Sequence, residues 1–229
     1  ILAAVTPRTR MVLLASPNNP VGQYITREEL WSLHRRLPPD VVLVIDSAYA
    51  DYVTAEDFEC GAALVAAAQN VVMTRTFSKL YGLAATRIGW CYAPATIVDS
   101  LQRIRTPFNA STGSMAAAVA AVRDTAWSAH VREYNQRELT SIAARVATLL
   151  PGVEFIPSAA NFYLLRFTDG IHTAAGAAAA LERQGIIPRP VGAGGPEQCL
   201  RISVGLTHEN DAVLRVLADF VSRPAPTAV

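Results

Sequence analysis

Lys79 is the only lysine in this chain of 229 residues; the other nineteen of its 20 basic residues are arginines. It lies in the stretch "TRTFSKLYGLAATRIGW" (residues 74–90), with Ser78 before it and Arg87 eight residues after it. An arginine stays charged at any accessible pH, whereas a lysine amine can lose its proton and attack a carbonyl. The same composition is equally compatible with a lysine left by drift on an arginine-rich surface. The choice between the two rests on the company that Lys79 keeps.

Bulk properties exclude several classes. Half the chain is hydrophobic (51%) and 17% is charged, enough to bury a substantial core in one large domain or two modest ones. A net charge of +1 with scattered arginines gives no electrostatic footprint for nucleic acid. Alanine supplies much of the apolar content in short runs such as "GAALVAAA", and no stretch reaches the roughly 18 apolar residues of a membrane span. Cys60, Cys91 and Cys199 are far apart with no CxxC spacing, which fits a reducing cytoplasm. His34, His130, His172 and His208 form no metal-ligand spacing, so no metal is expected.

The elements that must position Lys79 follow from periodicity. "MVLLAS" (11–16) reads as a strand ending in the turn "PNNPVG", and Thr26 with Glu29 makes a capping box for a helix with Leu30, Leu33 and Leu37 on one face. "VVLVI" (41–45) and "NVVMTRT" (70–76) have the continuous apolar pattern of strands buried in a parallel sheet. Alternating short strands and helices define an α/β layer structure. From about residue 112 the character shifts. An alanine-rich helix comes first, then a long helix with Ile142, Val146 and Leu149 at helical spacing until Pro151-Gly152. "VEFIPSAANFYLLRF" follows as strand, "TAAGAAAALERQG" as helix, "GIIPRPV" and "CLRISVG" as strands, and a last helix runs from Thr207 to about Ser222. The division expected is a large domain over 1–111, and a connecting helix with a small α+β domain over 112–229. "RPAPTAV" at the end reads as a frayed tail.

In open α/β sheets ligands collect at the carboxyl ends of the strands. The residues there are Asn18 and Asn19 after the first strand, Asp46 with Tyr49 after the second, and Thr76, Ser78 and Lys79 after the third. Asp46 directly follows five apolar residues, where a carboxylate is costly without a partner charge. It can be a helix cap or loop acid, or an anion holding a protonated ring nitrogen, the part that an Asp plays towards pyridoxal phosphate. That cofactor needs a lysine for a Schiff base, an Asp for its pyridinium, and hydroxyl and arginine groups for its phosphate.

The motifs "SPNNPVG", "IDSAYADYV", "TFSKLYGLAATRIGW" and "LRISVG", in this order over nearly the whole chain, make the sequence similar to the fold-type I pyridoxal-phosphate aminotransferases. Within that family they are most similar to the histidinol-phosphate group. The resemblance implies an aspartate aminotransferase-like fold, here a partial large domain with a mainly parallel sheet plus the small C-terminal domain. It implies Lys79 as Schiff-base lysine and proton carrier, and Asp46 as partner of the pyridine nitrogen. Asn19 and Tyr49 would hydrogen-bond the phenolic oxygen, and Thr76, Ser78 and Arg87 would hold the phosphate. Arg201, a charge inside a strand, and Arg189, twelve residues earlier, would bind substrate anions, with Asn161 facing the same pocket.

The activity so implied is transamination between histidinol phosphate and 2-oxoglutarate, or imidazole-acetol phosphate and glutamate, by a cytoplasmic homodimer. Aromatic or broad-specificity aminotransferases and a phosphothreonine decarboxylase-like enzyme share the cofactor motifs. Val21 stands where the family more often has threonine. The family's N-terminal stretch, with a phosphate loop, a ring-stacking aromatic and a tyrosine that crosses the dimer, has no counterpart before residue 16. With Ile1 at the start, the expectation is a piece of a longer enzyme, and a folded but non-catalytic chain is the rival of another class.

Overall fold

The computed structural model describes residues 1–191 and 195–222. They divide into two compact units, one of Ile1–Asn18 with Tyr24–Arg132 and the other of Asn19–Gln23 with Glu133 onwards. The boundary falls inside a helix, and five residues after the first strand belong to the second unit. The tail expected to fray, 223–229, lies outside the described residues.

The first unit has an α/β sheet of β1 (Met11–Ala15), β2 (Val42–Asp46), β3 (Val71–Thr76) and β4 (Gly89–Tyr92), in that order. β1, β2 and β3 run parallel as the apolar runs require, and β4 returns antiparallel to β3. α1 (Arg27–Arg36) connects β1 to β2, and α2 (Ala62–Ala67) connects β2 to β3. Helix α1 starts where the sequence says, because the Thr26 side chain accepts from the Glu29 amide while the Glu29 carboxylate accepts from the Thr26 amide. Glu28 and Glu29 in its first turn and His34, Arg35 and Arg36 in its last suit the helix dipole. Its Leu30 and Leu33 join Leu43, Ile45, Leu64, Val71 and Met73 in one buried cluster. Each such side chain contributes roughly 2 kcal/mol of burial. α3 (Ala95–Ile104), α4 (Thr112–Arg123) and the start of α5 (Thr125–Leu149) complete the unit.

The second unit has an antiparallel sheet, ordered β5 (Val153–Ile156), β6 (Phe162–Phe167), β8 (Cys199–Ser203) and β7 (Arg189–Pro190). With the rest of α5, α6 (Ala174–Glu182) and α7 (Thr207–Val221), it closes around Ile142, Tyr163, Leu165, Leu181, Leu200 and Leu214.

Several expectations change. "VEFIPSAANFYLLRF" is two antiparallel strands, since Pro157 has no amide hydrogen to donate to a ladder and the chain turns back at Ser158–Asn161. "GIIPRPV" keeps only two residues in the sheet, because Pro188 and Pro190 remove donors on either side of Arg189. Leu149 is 44% exposed while its neighbour Leu150 is buried. Burial at this end of the helix therefore falls on Ile142, Val146 and Leu150, the residue that follows its last turn, although Leu149 matches the 3.6-residue period more closely.

Candidate functional site

In the first unit, the strand-end residues stand together because parallel pairing aligns the ends of β2 and β3. Asp46 is the last residue of β2, opposite Ala15 on β1 and Thr74 on β3. It is exposed, and one carboxylate oxygen accepts from the Ala48 amide at 3.1 Å, so the chain turns there. Ser47, fully buried, ties that turn down by donating to the Cys60 carbonyl at 2.6 Å. Three residues after Asp46, the buried Tyr49 presents its ring to Lys79, whose Nζ lies 5.1 Å from the ring centroid. An ammonium over a phenol face is held there by the ring quadrupole.

β3 ends at Thr76, and the Thr76 hydroxyl accepts from the Ser78 amide at 3.0 Å, which turns the chain towards Lys79. The return strand brings Arg87 alongside. Thr76 pairs with Gly89, and the Phe77 amide donates to the Ile88 carbonyl at 3.2 Å. Gly89 is required there, since a Cβ would stand 2.7 Å from the Arg75 carbonyl oxygen. Arg87 is in the left-handed region (φ 52°), is exposed, and donates to the Ala84 carbonyl at 2.8 Å.

The second unit holds the remaining expected residues. Arg201 donates to Asn19 Oδ1 at 2.6 Å and its guanidinium carbon lies 5.0 Å over the Phe162 ring. Arg189 is its direct partner across β7 and β8, so two guanidinium groups leave the same face of the sheet. A groove of about 680 Å³ beside them is bounded by Ile187, Ser203, His208 and Ala212. Asn161, at the head of β6, accepts from the Val204 amide through its main-chain oxygen at 2.9 Å. Asn19 is placed by Gly22 (φ 80°), whose carbonyl accepts from the Ala159 amide at 2.8 Å; a Cβ there would stand 2.0 Å from Ser158 Oγ.

Sequence reasoning missed one cluster beside Lys79. The Asp51 carboxylate pairs with Arg75, both largely buried, and its Oδ1 also receives the Tyr81 hydroxyl at 3.5 Å. Arg132 Nε donates to the Asp51 main-chain oxygen at 2.8 Å. Burial, then the Asp51 charge, pushes the Tyr81 phenol above its ordinary value, so it stays a donor. An arginine in a strand whose first three residues are buried is the signal that could have found this pair, since a charge held there needs a partner.

The donor set fits pyridoxal phosphate by its chemistry. One amine beside a tyrosine ring, one exposed carboxylate at a strand end, two hydroxyls at and just after the end of β3, and an exposed guanidinium just before β4 lie around neighbouring strand ends of one mainly parallel sheet. Among the described residues no group of three His, Cys, Asp or Glu could hold a metal, and no helix is long and apolar enough to cross a membrane.

The chain belongs to the class I and II aminotransferase family, whose family model matches residues 1–217. Among named relatives, it is 46% identical over 221 residues to a histidinol-phosphate aminotransferase of Rhodospirillum centenum, covering 96% of this chain and 60% of the relative. Among solved structures, that of histidinol-phosphate aminotransferase from Sinorhizobium meliloti in complex with pyridoxal-5'-phosphate superposes with a TM-score of 0.83 at 29% identity. It covers 93% of this chain and 57% of that one. L-threonine-O-3-phosphate decarboxylase from Porphyromonas gingivalis follows at 0.79 and 27%, covering 93% and 65%. The chain thus spans about 60% of the length of the curated relatives it matches.

Proposed function

We propose that this chain carries the cofactor-holding and anion-binding residues of a pyridoxal-phosphate aminotransferase that exchanges amino groups between histidinol phosphate and 2-oxoglutarate. The observation that carries this reading is the sole lysine, held 5.1 Å from the Tyr49 ring three residues beyond the end of the strand that pairs with the one bearing Asp46. Family membership and the 46% identity to a relative of that name support the substrate choice.

Bound pyridoxal phosphate supplies an aldehyde that takes up amines and a protonated ring that draws electrons from the substrate Cα. Lys79, once deprotonated, is the nucleophile and later the base that moves a proton at Cα. Asp46 keeps the ring nitrogen protonated, and Tyr49 and Asn19 serve the phenolic oxygen. Thr76, Ser78 and Arg87 take the cofactor phosphate, for which the fork of Arg87 can exchange its present carbonyl partner. Arg201, Arg189 and Asn161 would take the substrate's anionic groups. The same reading makes the enzyme a cytoplasmic homodimer with a large domain over 1–111 and the remainder over 112–229. Apolar side chains such as Ile104 and Phe108, 80% and 96% exposed, support association.

Incubation with pyridoxal phosphate and reduction with borohydride should add the cofactor mass to the peptide containing Lys79, and Lys79→Ala should abolish the adduct. An adduct retained in that variant overturns the assignment. Half-reactions with histidinol phosphate and phenylalanine test the substrate; equal rates overturn the phosphate-specific part. Carbon dioxide release from phosphothreonine would favour the decarboxylase chemistry named for the Porphyromonas gingivalis relative.

A further inference from the structure

We propose that Asp51 is a positioning residue that sets where the Lys79 amine stands relative to Tyr49. The inference rests on the reading of Lys79 as the cofactor-binding amine. Arg75 and Tyr81, the two side chains that meet the Asp51 carboxylate, lie on either side of the short stretch 76–80 that carries Lys79. Asp51 itself follows Tyr49 by two residues, and Arg132 of α5 fixes its main chain from outside. One carboxylate therefore grips both ends of the segment bearing the amine and the segment bearing the ring that the amine faces.

The stretch between the grips is short and internally braced. The Phe77 and Tyr81 rings stand 5.1 Å apart, the Gly82 amide donates to the Lys79 carbonyl at 2.9 Å, and Arg75 lies 5.8 Å over the Trp90 ring of the return strand. A lysine side chain has four rotatable carbon bonds, so a sub-ångström drift of its Cα reaches the amine as a spread of positions. Holding the backbone from both ends narrows that spread before any ligand arrives, and reacting groups are sensitive to misplacement on this scale. A pair serving stability alone would lower the melting temperature when broken and leave the amine where it is.

The single lysine makes the test direct. Reductive methylation of the full chain with carbon-13 formaldehyde labels one side-chain amine, so its methyl resonance reports Lys79 without cofactor. Asp51→Asn and Arg75→Gln are compared with the parent, and Tyr81→Phe serves as the mildest change. The expected result is a broadened Lys79 resonance displaced in the same direction in the first two variants. Borohydride trapping of pyridoxal phosphate should also slow about 10-fold, inside the hundredfold that an ångström of misplacement can cost. Displacements of opposite sign would mean a charge effect, because one variant removes an anion and the other a cation; that result, or an unmoved resonance in folded variants, overturns the proposal. Should circular dichroism show Asp51→Asn unfolded, Arg75→Lys, which keeps the charge but not the fork, and Tyr81→Phe decide in the same way. A parent chain that traps no cofactor would sink the proposed function, while the resonance still decides for Asp51.

Discussion

The two units bury their sheets to different degrees. In the second, Tyr163, Leu165, Leu200 and Ile202 of adjacent strands meet three helices in one closed cluster. In the first, the cluster under α1 and α2 is as dry at its centre, yet Met11 and Leu13 on β1 are 53% and 75% exposed. Every residue of β4 is also exposed. The closed unit carries Arg189 and Arg201 on neighbouring strands, and the open one carries Asp46 and Thr76 at its strand ends with Lys79 just beyond. In open α/β sheets ligands collect at the carboxyl ends of the strands, where backbone pairing stops.

Breaking each core is the strongest way to test this division. Leu43→Ala and Leu165→Ala each empty a fully buried site and should each cost about 3 kcal/mol. Amide hydrogen exchange should show the loss in β1–β3 for the first and in β5, β6 and β8 for the second. Equal loss of protection in both sheets for either variant would break the comparison.

A smaller effect is expected from the buried polar joint of the second unit. Asn210 donates to the Glu138 carboxylate at 2.8 Å and to the Gly205 carbonyl at 3.0 Å, and Thr207 donates to the other Glu138 oxygen at 2.9 Å. Asn210→Ala strips a buried carboxylate of one of its two donors and should cost about 2 kcal/mol in chemical denaturation. The nearest counterpart in the first unit is the half-buried Asn70, which bridges His34 and the Val41 carbonyl. Its replacement by Ala should cost about 1 kcal/mol. The reverse order would mean that the first unit's joints are the more tightly sealed.

The smallest effect sharpens the comparison through pH. Hydrogen bonds from the His172 side chain and amide hold the Asp169 carboxyl down to about 2, against an ordinary value of 3.8. A carboxyl that binds its proton less readily when folded stabilises the fold fully above its ordinary value. That contribution disappears as pH falls from about 4 to about 2. Melting temperatures across this window should fall less steeply in Asp169→Asn than in the parent, and parallel curves would remove Asp169 from the acid limb.

Much of this was legible in the sequence, for identifiable reasons. Continuous apolar runs marked β1, β2 and β3, and a reciprocal cap marked the start of α1. The strand-end position of Asp46, Thr76 and Lys79 followed from those assignments alone. β4 stayed hidden because Gly-Trp-Cys-Tyr is short and all four residues are exposed, so no burial period marks it. The exchange of Asn19–Gln23 into the second unit was hidden too, since it depends on Gly22 meeting Ser158 across more than a hundred residues. The Asp51–Arg75 pair needed the fold before its two charges could be seen to meet.

The excursion of Asn19–Gln23 bears on recombination between relatives. Because the chain crosses between units at 18/19, 23/24 and 132/133, the second unit is not a contiguous cassette. A chimera joined at Glu133 would import a foreign Arg201 while keeping the host's Asn19, splitting a pair that touches at 2.6 Å. Asn19 and Arg201 would come from one parent only if residues 19–23 and the stretch from 133 onwards were inherited together.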